Sequence, residues 1–417
     1  MTGDSPPDRP HDGKRDREYD IVLFGATGFT GALTAEYLAE HAGPGTRWAL
    51  AGRNRAKLEA VRDRLAALNP ACAGLPLLRA DTAEVGSVAE MARAARVVIT
   101  TVGPYGEHGE PLVAACARAG TDYVDLAGEP AFVDRMYLAY HEEAVRSGAR
   151  LVHACGFDSI PADLGAYFTV KQLPEDVPLR VEAFVRARFD PSGGTVQSII
   201  GIAADVPGML RAERDRGRAE ARAEAQVEAE AEARQGSARR VRLARGPLPR
   251  THVTGGWTLP APTIDPRIVA RSARALDRYG PDFTYGHHVA VRHLAEAAGM
   301  VAGAGAVLAL AQLPPARSLL RRFRAAGEGP SAERRARNWF RVTFVGEGGG
   351  RRVVTEVAGG DPGYTESARM LGESALCLAH DDLPETSGQV TTAAAMGDAL
   401  LDRLTRGGIT FRVLDAG

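Results

Sequence analysis

The sequence predicts an α/β fold, a doubly wound parallel sheet followed by a region of longer alternating strands, on three observations. Short apolar runs alternate with amphipathic stretches from Tyr19 to about Gly156. A glycine-rich turn, Gly25-Ala26-Thr27-Gly28-Phe29-Thr30-Gly31, joins the first run to the first stretch. Further on, residues 179–189 and 337–357 carry apolar side chains at alternate positions. Strand–helix alternation builds parallel sheets covered on both faces, whereas period-two alternation suits an antiparallel sheet with one covered face.

The first run, Tyr19-Asp-Ile-Val-Leu-Phe24, reads as a buried strand, and the glycines after it sit where that strand turns into a helix. Gly25 permits the tight turn, Gly28 lets backbone N–H groups approach a pyrophosphate, and Gly31 lets helix and strand pack closely. The implied ligand is a dinucleotide, with Ala26, Thr27, Phe29 and Thr30 completing the turn. The second strand, 47–51, ends in Gly52-Arg53-Asn54, where an NAD-binding fold would place an acidic residue on the ribose 2′-hydroxyl. A carboxylate there would repel a 2′-phosphate and a guanidinium would pair with it, so the cofactor is expected to be NADP(H), with Arg53 and Asn54 at the phosphate. Arginine is this chain's default cation, since only Lys14, Lys57 and Lys171 are lysine. The missing acid therefore carries more weight than the arginine.

The remaining strands of this sheet are expected at 75–79, 96–102, 123–126 and 150–154, and their C-terminal ends should share the ligand edge. Asp81 follows the third, placed to meet the adenine amino group or to cap the next helix. Val102-Gly103-Pro104-Tyr105 follows the fourth, where the nicotinamide half would pass: Gly103 allows close approach and Pro104 stiffens the turn. His153, Asp158 and Ser159 cluster after the sixth. Tyr105, His153 and Asp158 are the catalytic candidates, chosen by position. Tyr105 also suits stacking or packing, His153 suits a core role, and Asp158 and Ser159 suit helix capping.

Composition sets the frame. The chain has 417 residues, 45% of them hydrophobic, enough for two domains. Its 51 basic and 52 acidic residues leave a formal net charge of −1, which gives no reason to expect nucleic acid. Cys72, Cys116, Cys155 and Cys377 form no C-x-x-C pair, which fits a reducing, cytoplasmic setting without a thiolate metal site. Residues 1–18, rich in Pro, Asp and Arg, read as a disordered tail rather than a signal peptide.

Five motifs together carry a resemblance: the glycine turn 25–31, Gly103-Pro104-Tyr105, Gly109-Glu-Pro-Leu-Val113, Ala119-Gly-Thr-Asp-Tyr-Val-Asp-Leu-Ala-Gly-Glu129 and Gly156-Phe-Asp-Ser-Ile-Pro-Ala-Asp-Leu-Gly165. The chain resembles the saccharopine dehydrogenase-like superfamily, nearest to the trans-acting enoyl reductases that serve polyketide and complex-lipid assembly. Ser192-Gly-Gly-Thr195, Gly327-Glu-Gly-Pro-Ser331 and Gly359-Gly-Asp-Pro-Gly-Tyr364 extend it. The resemblance implies an NADP-binding Rossmann domain over 19–156, an inserted α+β substrate domain over 157–360 built on a mostly antiparallel sheet, and a C-terminal segment, 361–417, returning to the first domain. It also implies NADPH as cofactor, an unsaturated acyl or lipid substrate, free or carrier-bound, and a polyketide synthase as partner. A saccharopine-type enzyme acting on a C–N bond, with Arg186 and Arg188 on substrate carboxylates, and a non-catalytic NADP- or lipid-binding protein are the alternatives.

Three segments need separate readings. Residues 211–245, almost all Ala, Arg, Glu and Gln, suit a solvated helix or disordered insertion rather than a site, with partner docking left open. Residues 297–313 are apolar and rich in Gly and Ala, too short to span a bilayer. A buried or partly covered helix of the second domain is the expectation; an acyl-tunnel wall, or peripheral membrane contact over 297–324 through Arg317, Arg321, Arg322 and Arg324, are the other readings. Tyr167-Phe-Thr-Val-Lys171 spells a short-chain dehydrogenase Y-x-x-x-K, but it continues an amphipathic helix and lacks a suitably placed serine, so it is set aside.

Overall fold

The computed structural model describes residues 14, 16–190, 200, 203–231, 239–244, 255–261, 263–312 and 329–416. Its strands are β1 (Tyr19–Phe24), β2 (Trp48–Gly52), β3 (Leu77–Arg79), β4 (Ala95–Thr100), β5 (Asp122–Val124), β6 (Arg150–Val152), β7 (Leu179–Arg188), β8 (Arg240–Leu243), β9 (Trp257–Pro260), β10 (Asp282–Val291), β11 (Trp339–Gly348), β12 (Arg351–Gly359), β13 (Gly388–Val390) and β14 (Thr410–Ala416). The first sheet, ordered β13-β6-β5-β4-β1-β2-β3, is parallel throughout. Its inner strand β1 is buried at all six positions, which is why it reads as an apolar run broken only by Asp20, itself paired with Arg47 and Arg96. Parallel pairing, with helices as crossovers, brings the C-terminal ends of all these strands to one edge.

The second sheet runs β14-β12-β11-β7-β10-β8, with β9 also on β10. β7, β11, β12 and β14 pair antiparallel, whereas β10 is parallel to β7 and to β8. The two sheets share one core. Leu23, Ile99 and Leu371 belong to the same buried cluster as Ala166, Phe340 and Phe344, joined by the helices Ile160–Val170, Thr365–His380 and Thr392–Arg406. The first of these lies tight on the second sheet because Gly165 has no side chain; a Cβ there would stand 2.3 Å from the Phe344 ring. Inside the joint, buried Asp163 accepts from Ser272, from Thr392 Oγ1 at 2.6 Å and from the Ala393 N–H at 2.9 Å, pinning three helices with one carboxylate.

Four expectations need correction. Of the expected disordered tail, Lys14 is buried, its Nζ 2.7 Å from Asp122 Oδ1 and 2.8 Å from the Gly148 carbonyl, while Arg17 donates to the carbonyls of Ala92 and Ala95. These cations meet the chain where it enters β4, β5 and β6. The C-terminal segment serves both sheets: β13 extends the first, but β14 pairs with β12 of the second. Over 211–245 the expected solvated helix does form, with most of residues 211–222 exposed, but it is not free of the fold. Within the helix Val206–Ala231, Arg216 is buried on Asp134, Glu220 and Gln389, and β8 lies at its far end. Finally, the apolar stretch forms the helix Leu294–Ala311 but is not buried: only Ala297 and Ala311 are, while Leu294, Met300, Val301, Leu308 and Leu310 are 41–59% exposed.

Candidate cofactor and active site

The glycine turn closes β1 onto the helix Phe29–His41. Gly25 has φ +93°, and a Cβ there would meet Thr101 Oγ1 and Val102 Cγ2 at 2.8 Å; a Cβ on Gly31 would stand 2.2 Å from the Gly25 carbonyl. Both glycines are demanded by the protein itself. Gly28 is different: its added Cβ finds only the Gly25 carbonyl, at an ordinary 3.5 Å, so the space above it is left for a ligand. Gly28 is also the helix N-cap, and no side chain caps that end. Uncapped N–H groups of Phe29, Thr30 and Gly31 beside an open concavity suit a pyrophosphate. Thr101, which sequence reasoning missed, donates from Oγ1 to the Gly25 carbonyl at 3.1 Å and ties the turn to the end of β4.

Arg53 is exposed just past β2, with no carboxylate at Gly52 or Asn54 to oppose a 2′-phosphate. Asn54 is the N-cap of the next helix, its Oδ1 accepting from the Lys57 N–H at 3.0 Å. Asp81, half-buried past the end of β3, accepts from the Ala83 N–H at 3.1 Å in the turn before the next helix, whose N-cap is Glu84 without a side-chain cap, so Asp81 does not cap that helix. Ala26 is buried beneath the turn and Thr27 exposed on it. Val102, Gly103 and Pro104 follow β4, and Glu129 holds the chain after them by accepting from the N–H groups of Tyr105 (3.1 Å) and Gly106 (2.7 Å).

The three catalytic candidates separate. Tyr105 is buried, donating to the Thr100 carbonyl and accepting from the Leu126 N–H, both at 3.2 Å, and burial drives its hydroxyl far above the usual phenol range. With both roles of the oxygen taken by backbone, it staples β4 to the end of β5 and has no proton to give. His153 is buried with Nδ1 2.7 Å from Asp125 Oδ2. Its Nε2 has no hydrogen-bond partner among the described residues, and His153 lines a cavity of about 260 Å³ with Tyr137, Arg216, Arg271 and Gln389, whose walls include no residue of the glycine turn. Asp125 is a hub that the sequence did not reveal, also accepting from the Tyr123 hydroxyl and the N–H groups of Ala127 and Ala154.

Asp158 alone stands open. It is exposed and lies against Gly128, where a Cβ would meet its Cγ at 3.2 Å. The surrounding protein, and then Asp125, push its carboxyl up to about 6. Ser159, expected as a cap, turns its hydroxyl to the Ala154 carbonyl instead. Asp265 lies close enough to feel that carboxylate: burial and then Asp158 raise it to about 8. Beside it, with Nε2 3.9 Å from Asp265 Oδ2, burial holds His287 neutral down to about 3. Neither of these two was foreseen, although Phe283, Tyr285 and His287 alternate along β10 as a covered strand face should.

Two further motifs find places. Asp361 accepts from the N–H groups of Tyr364 and Thr365, setting Tyr364 edge-on to Phe29 at 5.1 Å, while Gly329 sits against the same Phe29 ring. The second domain thus reaches the dinucleotide turn. Lys171 of the discounted Y-x-x-x-K pairs with Asp398 on another helix. Ser192-Gly-Gly-Thr195 and the arginines 317–324 lie outside the described residues.

Residues 21–152 match the family model of the saccharopine dehydrogenase NADP binding domain. Over nearly its whole length the chain is 41% identical to a protein of Mycobacterium tuberculosis (strain H37Rv) named as a trans-acting enoyl reductase, covering 95% of this chain and 97% of the relative. The chain belongs to the trans-acting enoyl reductase family. A trans-acting enoyl reductase of Mycobacterium ulcerans is 38% identical over 94% of this chain and 97% of its own. Apo saccharopine dehydrogenase (L-Glu forming) from Saccharomyces cerevisiae shares the fold at 12% identity, with a TM-score of 0.53 over 95% of this chain and 100% of that one. Membership makes the protein an NADP-dependent oxidoreductase, and the glycine turn, the uncapped helix end and Arg53 fit NADPH.

Proposed function

We propose that the protein reduces the C=C bond of an α,β-unsaturated acyl or polyketide-derived chain presented by a carrier, as a trans-acting partner of a polyketide synthase. The observation that carries this reading is the extent of the family match. The alignments that give 38–41% identity cover 94–95% of this chain, so they extend over the second domain as well as the NADP domain, and the relatives they match are named as enoyl reductases.

Bound NADPH supplies the hydride for the β-carbon. The protein's part is positioning and the proton. The N–H groups at 29–31 and Arg53 would hold the pyrophosphate and the 2′-phosphate of the cofactor. The staple from Tyr105 to Thr100 and Leu126, with Glu129 on the following N–H groups, holds rigid the turn after β4, beside which the nicotinamide half would lie. Asp158, with a carboxyl near 6 and open to solvent, holds a proton at its carboxyl oxygen and delivers it to the α-carbon, returning to the acid form from water. Hydride to one carbon and proton to the other balance the reduction of the double bond.

The experiment is NADPH oxidation by the purified protein against long-chain enoyl thioesters and, in parallel, against amino-acid imines. Turnover on the thioesters alone supports the proposal. Turnover on the imines alone would replace it with the saccharopine-type reaction, and cofactor binding without turnover on either would favour the binding-protein reading.

A further inference from the structure

The helix Leu294–Ala311 breaks the rule that large apolar surfaces are covered. From 297 to 311 it consists only of Ala, Gly, Met, Val and Leu. Residues 298–306 are exposed without interruption, about two and a half turns that show every face of the helix. A protein partner offering a groove would cover one stripe and leave a polar outer face in water. A helix apolar all round calls for apolar surroundings on every side.

Both ends are fixed to the body of the protein. At the start, His293 and Glu296 form a capping box directly after β10; at the finish, the Gln312 side-chain amide donates to the Ala203 carbonyl at 2.8 Å. An element ~27 Å long and tethered at both ends to one body lies within one leaflet instead of crossing.

The sheet end from which the helix leaves carries a second, independent observation. Register places Trp257 of β9 opposite Val291 of β10, and Trp339 of β11 opposite Arg188 of β7. That end therefore groups Trp257, Trp339, Arg188, Phe189 and Arg292, with Trp339 41% and Phe189 47% exposed. Tryptophan beside arginine is the chemistry of the bilayer interface, the ring at headgroup depth and the guanidinium on lipid phosphate. In sequence, Arg317, Arg321, Arg322 and Arg324 follow the helix.

We propose that this helix and sheet end dock the protein on an anionic lipid bilayer. The docked face adjoins the cofactor turn, since Phe189 reaches to 4.0 Å of the Cβ position of Gly363, and the next residue, Tyr364, packs on Phe29. On the reading that the substrate is a lipid-like acyl chain, the membrane face is where that chain enters.

The test is co-sedimentation of the full-length protein with vesicles of phosphatidylcholine, alone or mixed with phosphatidylglycerol, with light scattering for the oligomeric state. Wild type is expected on the mixed vesicles, and the double variant Met300→Glu/Val301→Glu to bind about tenfold more weakly with unchanged NADPH affinity and thermal unfolding. Arg188→Gln/Arg292→Gln should lose only the preference for the anionic lipid. Wild type remaining in the supernatant with both vesicle types would overturn the proposal. So would a wild-type dimer that Met300→Glu/Val301→Glu converts to monomer, since the helix would then be an interface between copies. Reduction of a short, water-soluble enoyl thioester without vesicles tests the catalytic reading separately.

Discussion

Arg53 stands exposed at the mouth of β2, between Gly52 and Asn54, so its replacement acts on the ligand and hardly on the fold. Arg53→Glu is expected to raise KM for NADPH about tenfold or more, with NADH little affected, as measured by initial rates with each cofactor. Asp158→Asn should lower kcat/KM by about 10²–10³. Because a general acid works in its protonated form, wild-type activity should fall as pH rises through about 6, and the variant's profile should lose that limb. A flat wild-type profile across this range would exclude Asp158 as donor. At this scale the sequence disclosed what is local. Gly25 and Gly31 are required by their own turn, and Asn54 by the helix it caps. Asp125, Glu129 and Asp265 were hidden because each acquires its role from groups that only folding brings to it: Tyr123 and His153 for the first, the turn after β4 for the second, Asp158 and His287 for the third.

Among elements, the glycine turn offers a separation of fold from ligand. Gly31→Ala forces a Cβ against the Gly25 carbonyl and should cost about 1–3 kcal/mol in denaturant unfolding along with NADPH binding, whereas Gly28→Ala should fold normally and lose only the affinity. The helix Val206–Ala231 shows why composition misled. Its run of Arg, Glu and Ala reads as solvated at every position, but the fold selects Arg216 from that run and buries it on Asp134, which also receives Arg267 at 3.2 Å and Arg271. A pattern of like residues does not mark which one will meet a partner 82 positions away. Asp134→Asn leaves several guanidiniums without their shared carboxylate and should destabilise the protein by about 3 kcal/mol, visible as faster proteolysis within 206–231.

At the scale of the molecule, the parallel sheet was legible because each strand is a short apolar run bounded by its own turn. In the second sheet β7, β11 and β12 were legible because their alternation is long. β10 was missed although it is the strand on which β7, β8 and β9 all converge, and its histidines disguise a covered face. Those same histidines give the joint a pH signature. Asp265 titrates near 8 in the folded chain against 3.8 ordinarily, so the folded state holds a proton that the unfolded chain releases, and stability falls as pH rises through that window. His287 titrates near 3 against 6.5, so the unfolded chain binds the extra proton, and stability rises with pH between those values. Between about 4 and 6.5 the two slopes oppose each other, and above 6.5 the loss from Asp265 stands alone. Asp265→Asn removes one slope only. Its Tm relative to wild type should therefore climb steadily from pH 4 to pH 8 and level off beyond, as followed by thermal unfolding at intervals across that range. A difference in Tm that does not change with pH would mean that Asp265 is ionised in the folded protein, and that burial beside Asp158 does not hold its proton in place.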